Sequence, residues 1–118
     1  GLVPLPSGRR AGRLPVDDVR IYTGTLVADL VLGESRSLKD LRSPLRALVQ
    51  RLRNRDFAVA RVGPADLAQR AFVAIAVTSG DPDQVDAQLD EAERLVYDSP
   101  FEVADLRRGV TVETFPSG

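Results

Sequence analysis

Residue types that usually announce chemistry are scarce in this chain. Its 118 residues include no histidine, no cysteine, no tryptophan and a single lysine, Lys39. Without cysteine there are no disulfides, no thiolate nucleophile and no cysteine-held zinc. Without histidine the commonest general base near neutral pH and the commonest transition-metal ligand are gone. Catalysis would have to rest on Asp, Glu, Lys, Tyr or Ser, so the composition predicts a non-enzymatic domain with no metal and no cofactor. No apolar run approaches the ~20 residues of a membrane helix, and no basic-then-apolar leader opens the chain. A cytoplasmic protein without membrane contact is expected. A phosphate loop is missing too: "GESRSLKD" sets one glycine ahead of a helix and lacks the Walker spacing.

What is present describes one small domain, with 43% hydrophobic and 28% charged residues. The formal net charge is −1, which excludes a uniformly basic nucleic-acid binder, but the charge is segregated. Residues 36–55 hold seven basic residues against one acid, Asp40, and residues 81–98 hold seven acids against one base, Arg94. Residues 1–18 are rich in Gly, Pro and Arg without periodicity and are expected to form a flexible tail. Residues 19–118 are expected to form the domain.

Within it, "VRIYTGTLVADLVLG" (19–33) alternates as a strand ending at Gly33, with one face apolar and the other half apolar. Leu38, Leu41, Leu45, Leu48, Val49 and Leu52 recur at helical spacing, predicting a helix over about 38–54. Ser37 with Asp40 reads as its capping box, and Pro44 predicts an irregular first turn or a second start. "FAVARVG" (57–63) is a short strand and "RAFVAIAVTS" (70–79) a central one, apolar on both faces. Asp81 then caps a second helix with Pro82 at its first position and Val85, Leu89, Ala92 and Val96 inward. "FEVADLRRGVTVETF" supplies the last strand, with a bend expected at Gly109.

The order β-α-β-β-α-β, with two one-sided helices, predicts an α+β ferredoxin-like fold. Its four-stranded antiparallel sheet has order 4-1-3-2 and both helices lie on one face. That topology brings the end of the first strand, the start of the first helix and the central hairpin to one rim. Arg36, Lys39 and Arg42 are thereby expected near Asp66, Gln69 and Arg70.

The pair "SLKDLRSPLRALVQRLRNR" and "VARVGPADLAQRAFVAIAVTS" resembles the YlxP-like family of small bacterial domains of unknown function. Its pattern falls on Ser37, Leu38, Lys39 and Arg42, and on Gly63, Asp66, Leu67, Gln69, Arg70 and Ala71. The chain departs from it at Leu41, where a second base is common, at Ala68, where an aromatic is usual, and at Arg61, where an acid is usual. The resemblance implies a ferredoxin-like fold and no assigned catalysis. It also implies genes beside those for translation initiation and ribosome maturation, an associative pointer to RNA.

Two functional readings stay open. In the first, Arg36, Lys39, Arg42, Arg46, Arg61 and Arg70 form an anion-binding rim for RNA or a ribosomal surface, supported by Ser37, Asp66 and Gln69. In the second, the open sheet face, with Ile21, Val27, Phe57 and Phe72, forms a homodimer or small-ligand interface. The basic helix also reads as a plain solvated face. Asp66, Gln69 and Arg70 also read as a hairpin cap paired with Lys39 or Arg42. The acidic helix reads as a solvated face, since "DPDQVD" lacks the spacing of a calcium loop. An enzyme would rest on Lys39 and Asp66, with nothing adjacent marking that lysine as desolvated.

Overall fold

A computed structural model describes residues 18–33 and 40–116. The elements run β1 (Val19–Val31), α1 (Arg42–Arg53), β2 (Ala58–Val62), β3 (Arg70–Ser79), α2 (Pro82–Tyr97) and β4 (Glu102–Phe115). All strand pairings are antiparallel and the order across the sheet is β2-β3-β1-β4. This is the ferredoxin-like arrangement expected from the element order. The expected tail lies outside the described residues apart from Asp18, as do Arg36, Ser37 and Lys39. No helix among the described residues is long and apolar enough to cross a membrane.

Strand parity decides what is buried. Leu26, Ala28 and Leu30 of β1 stand opposite Ile75, Val73 and Ala71 of β3, and all six are buried on the helix-bearing face. From α1, Leu45, Leu48 and Leu52 join this core, and α2 adds Val85, Leu89, Ala92, Leu95 and Val96. Gly24 sits where α2 comes nearest to the sheet. A β-carbon there would lie 2.6 Å from a Val85 methyl and 2.9 Å from Leu89 Cδ1. Any side chain would push the helix off the sheet.

The helix starts differ. Asp81 caps α2 as expected, its carboxylate accepting from the Asp83 N–H at 2.9 Å, with Pro82 opening the helix. Helix α1 begins at Arg42, later than the periodicity suggests. Asp40 Oδ1 accepts from the Arg42 N–H at 3.0 Å, so Asp40 serves as acceptor for the first turn. Pro44 then falls inside that turn, where a missing N–H costs no helical bond.

Two expectations about strands are corrected. Phe57 is not on the open face: it is 6% exposed, precedes β2 and joins the core. Asp56, at φ 67°, turns the chain after α1, and the Phe57 N–H donates to the Leu52 carbonyl, which draws the ring under the helix. Val59, opposite Ile75, faces the helices for the same reason of parity. The irregularity in β4 lies not at Gly109, which pairs regularly with Thr25, but where Asp29 pairs with Asp105 and Leu30 with Val103. Ala104 is the extra residue of a β-bulge.

Candidate binding surfaces

The N-terminal half of α1, the β2–β3 hairpin and the end of β1 do meet at one end of the domain. Just past β1, the Leu32 N–H donates to the Gln69 carbonyl at 2.8 Å, tying the hairpin to that strand. Arg42, Arg46 and Arg61 are all exposed there. Arg61 stands opposite Val73, which puts it on the helix-bearing side of edge strand β2. Asp66 and Gln69 are exposed on the hairpin. Arg42 finds its carboxylate in Asp40 at 3.5 Å, not in Asp66. Asp40 is held below the usual carboxylate range by the backbone and side chain of Arg42.

Arg70 is at the same end but on the other side of the sheet. Its guanidinium grips Asp29 through two bonds, Nε to Oδ1 at 2.9 Å and Nη2 to Oδ2 at 2.7 Å. It also lies 5.0 Å from the centre of the Phe72 ring. Asp29 is the one buried charged residue among those described. The paired bonds from Arg70 outweigh its desolvation and lower its pKa. Gly63, at φ +70°, brings the hairpin backbone against Phe72, where a β-carbon would stand 3.0 Å from the ring. Phe72 is therefore half-covered from within the chain. Val27 is half-buried beside it, and Ile21 is more exposed, at 36%. Val27, Asp29, Phe72, Asp105 and Arg107 line a shallow groove of about 200 Å³ on this face.

The rest of the basic segment is engaged. Arg51 pairs with Asp98, Arg55 with Glu91, and Arg53 donates to the Val59 carbonyl. Arg94 also pairs with Glu91, and these arginines hold the Glu91 carboxyl below its ordinary range, Arg94 foremost. On the far flank of α2, Arg108 of β4 reaches Asp90 at 2.8 Å and Glu93 at 2.7 Å, with Asp86 at 3.6 Å. Its pKa is raised, first by Glu93 and then by Asp90. The acidic helix is thus a receptor for arginines from α1 and β4, not a bare solvated face. A depression of about 570 Å³ beside it is lined by Arg51, Arg55, Glu91 and Arg94, which already pair with one another or with Asp98. Among the described residues no group of three potential metal ligands comes together.

A model of the family described as "Protein of unknown function (DUF503)" matches residues 23–108. The chain belongs to the DUF503 family. The matched span runs from within β1 to within β4 and contains α1, the hairpin and α2. A search of curated proteins found no match. Among solved structures, the chain is similar to the de novo designed protein Foldit4 at 10% identity and a TM-score of 0.47, covering 80% of this chain and 96% of that one. It is similar to a Bacillus cereus protein described as an antibiotic biosynthesis monooxygenase at 10% identity and 0.42, covering 79% and 92%. It is also similar to a hydantoinase/carbamoylase family amidase from Burkholderia ambifaria at 14% identity and 0.45, where it covers 86% of this chain and only 29% of the amidase. Identities this low carry no information about activity.

Proposed function

We propose that this DUF503 chain is a non-enzymatic RNA-binding domain that holds the phosphates of a structured RNA or a ribosomal surface with Arg42, Arg46 and Arg61. The reading rests on the stagger of the two helices. Arg55 lies beside Glu91 and Arg51 beside Asp98, the residue that ends α2. The helices run antiparallel, so Arg42, nine residues before Arg51, extends about 13 Å beyond the end of α2. The arginines within reach of α2 are neutralised by it, and those past its end face solvent. Exposed arginines at the start of a helix suit phosphate oxygens, by bidentate contact and by the positive end of the helix dipole. Arg36 and Lys39, just ahead of Asp40 in the sequence, are two further bases of this segment. Arg70 takes no part, being bound to Asp29 on the opposite face. The resemblance to the YlxP-like group, with its translation-linked gene neighbours, supports the same reading by association.

Co-sedimentation with separated ribosomal subunits tests it, at 50 and 200 mM salt. Three phosphate contacts reduce affinity roughly 20- to 40-fold over that range. Arg42→Glu with Arg46→Glu is expected to abolish binding while the fold persists. Arg94→Glu, one charge reversal on α2, is expected to leave it intact. Binding that ignores both salt and the double substitution would sink the proposal.

A further inference from the structure

We infer that the outer edge of β4 is a homodimer interface, through which two copies of this chain join their sheets antiparallel about a two-fold axis at Val110. Strand β4 is the edge of the sheet and pairs only with β1, so among the described residues its outward backbone groups have no strand partner. At one end, β1 and β4 continue as a ribbon past β3, whose last residue, Ser79, pairs with Tyr22 while Val19 pairs with Phe115. Large apolar side chains concentrate on this ribbon and on the stretch of β4 beside it. Among the described residues seven are exposed, and five of them are Val19, Ile21, Val110, Val112 and Phe115. By register Val110 and Val112 lie on the helix side, and Val19, Ile21 and Phe115 on the open side. Apolar surface therefore meets water on the open side of the ribbon and, on β4 beside it, on the helix side. From Asp105 to Phe115 there is no lysine, no proline and no bulge, and the charges on this stretch are Asp105, Arg107, Arg108 and Glu113.

The occupant is a second copy because the strand is complementary to itself when paired antiparallel. With the axis at Val110, Arg107 of each chain stands directly opposite Glu113 of the other, on the open face. Val110 meets its own equivalent, Gly109 meets Thr111, and Arg108 meets Val112. Moving the axis to Gly109 sets Asp105 against Glu113, two like charges. Moving it to Thr111 leaves Glu113 facing Gly109. Arg107 is at hand for the pairing, with a side chain 85% exposed and, among the described residues, its neighbour Asp105 as sole ion partner. A two-fold axis perpendicular to the sheet keeps the helices of both copies on one side.

The absence of cysteine makes the test clean. Directly opposed antiparallel residues have Cα atoms about 4.5–5.5 Å apart, within reach of a disulfide. Full-length Val110→Cys, treated with a mild oxidant, is expected to give a covalent dimer, and Ala74→Cys on the open face is not. In light scattering the unmodified chain is expected to run as a dimer. Glu113→Arg should shift it to monomer by setting like charges opposite each other, and Arg107→Glu added to it should restore the dimer. A monomer at all concentrations would overturn the inference, as would crosslinking at Ala74 in place of Val110. A full-length monomer that dimerises only after residues 1–17 are removed would overturn it too, by making that segment the cover of the edge.

Discussion

Asp29 shows how one pair of side chains closes part of a surface that alternation leaves open. Its carboxylate lies on the unhelixed face, yet is buried because Arg70 wraps onto it and rests on Phe72. The pairing holds the folded carboxyl below its ordinary value, so its contribution is present near neutrality and is lost as pH falls below about 4. Asp29→Asn is expected to cost about 1–2 kcal/mol at pH 7 by weakening a charge-assisted pair. The difference in Tm from the unmodified chain should narrow steadily between pH 5 and pH 2. A difference that stays constant over that range would remove Asp29 from the acid transition. The sequence shows an acid on β1 and an arginine at the start of β3, but not their pairing. Linking them requires the β1–β3 register, which sets Asp29 opposite Phe72 and Val31 opposite Arg70. Phe57 was obscured by a related ambiguity. In "FAVARVG" both alternating sets contain apolar residues, so only the packing of α1 decides which set turns inward.

Among the elements, β3 and α2 were the most legible. A ten-residue strand with apolar residues on both faces and a helix with Asp, Pro and an apolar stripe each carry their own boundaries. Helix α1 was less so, because Pro44 is compatible with several starts and the acceptor for its first turn is Asp40. The partners of the acidic helix were not legible at all, since they come from elements distant in sequence. Arg108 fastens edge strand β4 to α2 through three carboxylates, with its own side chain 29% exposed. Arg108→Met keeps the apolar stem and removes the ion pairs. Amide exchange along Leu106–Val110 should then quicken roughly fivefold, the equivalent of about 1 kcal/mol, the upper end for solvent-screened pairs. Unchanged exchange there would mean that β4 is held by its ladder to β1 alone.

For the molecule as a whole, the opposed charge blocks in the sequence are not two free poles. Their overlapping portions pair with one another across the α1–α2 seam through Arg51 and Arg55, whereas Arg42 and Arg46 on the overhang of α1 have no partner on α2. The charge count alone could not separate these fates, because the stagger of two helices is a tertiary quantity. The pairing of β1 with β4 has a further consequence, in time. Val19 is joined to Phe115, so one flank of a central strand is completed by the last strand of the chain. Contacts of such long sequence separation slow folding. During synthesis β1 would wait with one edge bare while α1, β2, β3 and α2 follow it from the ribosome. A chain ending at Ser99 is expected to remain largely unfolded by circular dichroism and to form aggregates through β1. Emergence of β4, rather than helix formation, then sets the moment at which the newborn domain becomes safe from its neighbours.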